Sequence, residues 1–242
     1  VVPWMFAGCA TAVLCLAAGV RRLPAGLLAA AGAFTAWAMA RGTGSIEMFA
    51  VAGAVALLLM AAAAGAALAQ RDGGVRTIVE AWVMAAGLSA VMALGQHQGL
   101  AQETLEVISA ASPGEAFGNL RQRNQFATLT AIGLAGCAWL FAQGTRVWTL
   151  LPLVVVMAAA NAASTSRTGL LQLLLLAGFS MALPGPRRSA RVALSLVAVG
   201  TYVLAAAGLP WLLEVRGLGG ATLLDRVAGV GACSSRRVLW SN

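Results

Sequence analysis

Long apolar runs alternate with short polar breaks along this chain. They lie at approximately Val2–Val20, Leu23–Ala40, Ser45–Gln70, Val75–His97, Asn124–Gln143, Val147–Ala163, Thr168–Leu183 and Arg191–Leu213. Most carry almost no charge, and a helix of about 20 apolar residues crosses the hydrocarbon layer of a bilayer. The breaks fall where Gly, Pro and Arg collect, as in Arg21-Arg22-Leu23-Pro24, Arg71-Asp72-Gly73-Gly74 and Leu183-Pro184-Gly185-Pro186. This pattern predicts an all-α fold, a polytopic transmembrane helix bundle of about eight membrane helices. The bundle takes up residues 1–213 and includes one long connection, the loop 98–123. Residues 214–242 then open a further loop.

Composition excludes the soluble alternatives. Sixty per cent of the residues are hydrophobic and 10% charged, with a mean hydropathy of +0.84; soluble domains carry about a quarter charged residues. All 16 basic residues are arginine, and they give a net charge of +8. They are scattered rather than gathered into a stripe, so membrane lipids are expected as partners and nucleic acid is not. The four cysteines show no CxxC spacing, and neither a metal site nor a cofactor is expected. The chain opens at Val1 with no basic segment before its first apolar run, so a removable signal peptide is not expected.

Alternate crossing puts Arg21, Arg22, Arg71, Arg76, Arg146, Arg187, Arg188 and Arg191 on one side, cytoplasmic by the positive-inside rule. Six of the eight acids then fall opposite: Glu47, Glu103, Glu106, Glu115, Glu214 and Asp225. Trp4, Trp37, Trp139, Trp148 and Trp211 lie near the predicted helix ends, where amphipathic rings favour the headgroup zone.

Three polar clusters on the outward side are candidates for chemistry. The first, Gly118-Asn119-Leu120-Arg121-Gln122-Arg123-Asn124-Gln125-Phe126-Ala127, opens directly into an apolar helix. Polar groups there need partners, and Arg with Asn or Gln offers donors and acceptors suited to a phosphate or a sugar. The bland reading is an interfacial cap with snorkelling arginines. The second, Asn161 to Gln172, sets Arg167 among Ser164, Thr165, Ser166 and Thr168 in a short turn between two helices; its alternative is a hairpin whose hydroxyls cap the next helix. The third is Ser234-Ser235-Arg236-Arg237-Val238-Leu239-Trp240, which also reads as the start of an amphipathic loop helix. His97, the one histidine, ends a helix and reads as structural. HExxH, GxSxG, the phosphate loop and the dinucleotide glycine fingerprint are all missing from the sequence.

Taken together, the three clusters resemble the bacterial O-antigen ligase superfamily, in particular its protein-directed branch, the pilin-type O-oligosaccharyltransferases or protein glycosylation ligases. The resemblance covers most of the chain from about Trp82 onward. It implies a multi-pass glycosyltransferase of the bacterial inner (cytoplasmic) membrane with its active-site face in the periplasm. Such an enzyme takes an oligosaccharide from undecaprenyl diphosphate and transfers it to an acceptor hydroxyl, a Ser or Thr of a pilin-like protein, without metal or cofactor. Arg167 and Arg236 match the family's diphosphate-binding arginines, with Arg237 an adjacent alternative. Gln122 matches a functional glutamine, and Arg121, Arg123 and Asn124 are its neighbours in donor or acceptor contact.

Members of the superfamily have about twelve crossings and a general-base histidine in a large periplasmic loop after the ninth. That histidine is expected beyond Asn242, so these residues hold the donor side of a site without its base and, as a fragment, are expected to be inactive alone. Related alternatives are a ligase acting on lipid A-core and an O-antigen polymerase. A transporter or flippase is a more distant one, and the inverted repeats and charged midplane it predicts are not seen in the sequence.

Overall fold

The computed structural model describes residues 24–41, 45–100, 108–120, 122–185 and 187–218. The expected first helix, Val2–Val20, lies outside these residues, as do Arg121, Arg236 and Arg237. The described chain forms seven α-helices and a short 3-10 turn at Gly118–Leu120, and its described residues contain no strand. The helices are α1 (Ala25–Arg41), α2 (Ser45–Ala69), α3 (Gly74–His97), α4 (Arg123–Ala142), α5 (Val147–Ala163), α6 (Arg167–Ala182) and α7 (Arg188–Val215). Their ends agree with the apolar runs to within three residues. Among the described residues, four segments are long and apolar enough to cross a membrane: Val51–Ala69, Gly74–His97, Arg123–Ala142 and Arg188–Val215. The remaining apolar helices are shorter. The protein is a helical, membrane-embedded one.

The chain divides into two compact units, residues 1–78 and 79–242. In the first, α1 packs against α2. Pro24 starts α1, its carbonyl accepting the N–H groups of Leu27 and Leu28; a proline has no N–H to leave unpaired at a helix start. Thr35 returns its hydroxyl to the Ala31 carbonyl at 2.8 Å, which satisfies it within an apolar helix.

The second unit holds α4 to α7 and, from Val79 onward, most of α3. Its core draws Val83, Ala86, Ala90 and Ala93 from α3, Phe126, Leu134, Cys137 and Leu140 from α4, and Val154 and Met157 from α5. Leu173 of α6 and Leu194, Ala198 and Tyr202 of α7 also belong to it. Small residues allow the close approach. A Cβ added to Gly133 would stand 2.5 Å from both Ala86 Cβ and Met157 Sδ, and one added to Gly136 would stand 2.7 Å from Val83 Cγ2. Helices in lipid gain little from hydrophobic exclusion and associate through such backbone-to-backbone packing. α7 packs along α5 and α6, where the Ser195 hydroxyl donates to that of Ser180 at 2.9 Å. Trp148 and Trp211 are exposed near helix ends, as an interfacial belt requires.

Candidate functional site

The first two polar clusters meet. α6 starts at Arg167, with Ser166 as its N-cap; the Ser166 oxygen accepts the Gly169 N–H at 3.2 Å. The same hydroxyl donates to Asn124 Oδ1, 2.9 Å away in the first turn of α4. One hydroxyl therefore closes a helix start and joins it to a second helix. Six residues further along α6, Gln172 Nε2 donates to Thr128 Oγ1 at 3.1 Å. Both rungs run in the same order, so α4 and α6 lie parallel with their N-termini side by side.

The floor beneath these starts is tightly built. Asn161, fully buried at the end of α5, donates to Thr130 Oγ1 at 3.0 Å. Gly169 presses against Asn161 Oδ1, and a Cβ there would stand 2.9 Å from Ala127 Cβ. Only glycine lets α4, α5 and α6 approach this closely. The Ser164 hydroxyl donates to the Asn161 carbonyl at 2.6 Å and accepts the Ser166 N–H at 3.3 Å. Thr165 takes a left-handed backbone with φ of 51°, a costly conformation for a β-branched residue. It turns the chain within three residues, so that α6 begins directly beside α4. Arg167 is the first helical residue rather than part of the turn expected from sequence, and it is exposed.

Around the start of α4 the first cluster spreads in different directions. Gln122 is the N-cap, exposed, with an extended backbone and no side-chain cap bond. Arg123, half-buried, pairs with Glu115 of the preceding loop. Asn124 faces Ser166 on one side. On its other side an open groove of about 430 Å³ runs between α3 and α4, lined by Trp82, Leu120, Asn124, Gln125, Thr128, Leu129 and Ile132. The groove is mostly apolar, with Asn124, Gln125 and Thr128 as its polar lining.

Backbone electrostatics gives this end a definite sign. Each helix N-terminus carries roughly half a positive elementary charge, so two parallel starts side by side favour an anion and disfavour a cation. Arg123 and Arg167 occupy the first helical position of each. Among the described residues no cluster of His, Cys, Asp and Glu could hold a metal. His97 is buried at the end of α3, its Nδ1 3.2 Å from Gln98 Nε2 and its carbonyl accepting the Gly114 N–H. It is part of the packing at this end of the bundle. The structure thus brings Asn124 to Ser166, and Arg167 to the same end as Gln122 and Arg123. The sequence clusters omitted Thr128, which bonds Gln172, and Trp82 across the groove; a polar residue one turn beyond Asn124 was the available signal for Thr128.

A family model for protein glycosylation ligases matches residues 116–141, the end of the loop and nearly all of α4. No curated protein and no solved structure matches the chain significantly. The matched segment is the one that supplies Gln122, Arg123 and Asn124, and its similarity is to ligases that glycosylate proteins.

Proposed function

We propose that the complete protein is a membrane glycosyltransferase of the protein glycosylation ligase type. It transfers an oligosaccharide from a polyprenyl diphosphate, undecaprenyl diphosphate in bacteria, to a Ser or Thr hydroxyl of a pilin-like protein on the periplasmic side of the inner membrane. The observation that carries this reading is the hydrogen bond from the Ser166 hydroxyl to Asn124. It ties the segment similar to such ligases to the helix start that bears Arg167.

In this reaction the acceptor oxygen bonds to the anomeric carbon as the bond from that carbon to the phosphate oxygen breaks. The departing diphosphate takes the electron pair, and the acceptor proton passes to a general base expected beyond Asn242. Arg167, with Arg236 or Arg237, would neutralise the charge that grows on the departing oxygen, assisted by the two helix starts. Gln122 and Asn124, with Arg121 and Arg123, would contact the proximal sugar or the phosphates. The groove beside Asn124 would receive the start of the hydrocarbon chain.

Arg167→Ala in the full-length protein tests this reading, with transfer to an acceptor protein measured from a polyprenyl diphosphate oligosaccharide. A loss of about 100-fold or more is expected, the usual effect of removing one charge-stabilising donor. Arg167→Lys should restore only part, because an ammonium lacks the planar fork. Undiminished transfer by Arg167→Ala would overturn the assignment. Offering lipid A-core in place of the protein separates the acceptor classes.

A further inference from the structure

Gln96, in the last turn of α3, belongs to none of the three polar clusters. It is fully buried. Its carboxamide is committed to the backbone of the loop that follows: Nε2 donates to the Ser109 carbonyl at 2.9 Å and the Gly118 carbonyl at 2.8 Å, and Oε1 accepts the Phe117 N–H at 3.1 Å. A primary amide has two N–H donors, and both are used. One side chain thus holds the loop near its middle and again near its end.

Further described residues of the loop are held beside this clamp. Asn119 Oδ1 accepts the Ser109 N–H at 2.8 Å, and the His97 carbonyl accepts the Gly114 N–H at 2.9 Å. Gly118 takes φ of 56°, and a Cβ there would stand 3.2 Å from the Ser89 carbonyl oxygen. Immediately beyond come the 3-10 turn, Gln122 and α4. Gly118 and Asn124 are separated by only five residues, so the point where Gln96 holds Gly118 governs where α4 begins.

Resting on the function proposed above, we infer that Gln96 is a positioning residue for donor recognition. Through its three loop hydrogen bonds it fixes Gln122, Arg123 and Asn124 against Ser166 and Arg167, without itself touching the donor. A displacement of 1 Å in such a constellation costs up to about 100-fold in rate. The clamp gives the site a rigid approach on the α3 side.

The test uses the full-length protein in nanodiscs, with Gln96→Leu, Gln96→Glu and Arg167→Ala assayed side by side as transfer per mole of folded protein. Gln96→Leu keeps the volume and removes all three bonds; its donor KM should rise about tenfold or more, with a smaller change in kcat. Gln96→Glu keeps the shape and an acceptor for the Phe117 N–H while withdrawing at least one donor, so its donor KM should fall between leucine and wild type. A purely structural role would lower the yield of folded protein and leave both kinetic constants per folded molecule unchanged. Wild-type donor KM in both Gln96 variants, with transfer lost in Arg167→Ala, overturns this inference alone. Normal transfer by Arg167→Ala overturns the proposed function, and this inference with it. If Gln96→Leu yields no folded protein, Gln96→Glu decides: a raised donor KM supports the clamp and a wild-type value refutes it.

Discussion

The parallel pair α4 and α6 has two ends, and arginine is used in opposite ways at each. At the C-terminal end, Arg187 donates to the Phe141 carbonyl at 2.8 Å and lies 5.7 Å from the centre of the Phe141 ring. Arg188 reaches the Met181 carbonyl, and Arg191 donates to the Leu183 carbonyl at 3.0 Å. These cations cap the last carbonyls of α4 and α6, where the helix dipole favours them. The same three arginines also stand at the start of α7, where its dipole disfavours them, and their bonds to these carbonyls offset that cost. At the other end, Arg123 and Arg167 sit at helix starts, where the dipole disfavours a cation by about 0.3–1 kcal/mol each. Arg123 offsets that cost in its ion pair with Glu115, and Arg167 stands exposed at the start of α6, where the backbone favours an anion. The difference separates arginines bonded to helix-ending carbonyls from arginines placed at two parallel helix starts.

Substitutions can break this comparison. The largest effect is expected at Gly169, because an alanine there would force α4, α5 and α6 apart beneath Arg167. Overpacking of this kind costs about 1–3 kcal/mol, and Gly169→Ala should lower both the thermal unfolding midpoint and transfer per folded molecule. Gly178 lies in the same helix toward its other end with nothing within 4 Å of an added Cβ, so Gly178→Ala should be neutral or slightly stabilising. An equal loss in both variants would show that α6 is uniformly intolerant and that its start is not special.

A smaller effect is expected from Ser166→Ala, which removes an N-cap worth about 1 kcal/mol and the link to Asn124. Donor KM should rise several-fold, and introducing Ser166→Ala into Asn124→Ala should cost less than it does in the wild type, since the shared bond is already gone. Additive losses in the double variant would mean that the two residues act separately.

The smallest effect is expected from Arg191→Ala, which loses a carbonyl cap worth about 0.3–1 kcal/mol. It should lower the unfolding midpoint slightly and leave transfer per folded molecule unchanged. A kinetic defect there matching that of Arg167→Ala would erase the distinction between the two ends.

The helices were readable because each apolar run in a membrane protein is bounded by residues that cannot remain in lipid, and Gly73, Gly144 and Gly185 mark turns with positive φ. The cap role of Ser166 was one of the two readings open for the second cluster. What escaped the sequence is the direction each helix faces. A helix apolar on all sides has no stripe to show which residues meet a neighbour, so the pairing of Asn124 with Ser166, 42 residues apart, leaves no periodic trace. Gln96 was hidden for a related reason: its partners are backbone groups, which any sequence supplies. The expected roles of Arg121, Arg236 and Arg237 fall outside the described residues.

The two rungs between α4 and α6 have a mechanical consequence. Joined at Asn124 to Ser166 and again at Thr128 to Gln172, the helices cannot slide along each other without breaking both bonds, so they move as one piece. Any motion that admits a bulky amphiphile or lets its carrier leave must therefore come from the elements around this pair. The α3 side of the groove, where Trp82 stands exposed, is joined to the pair by the loop that Gln96 holds and by the packing of Ala86 and Val83 on Gly133 and Gly136.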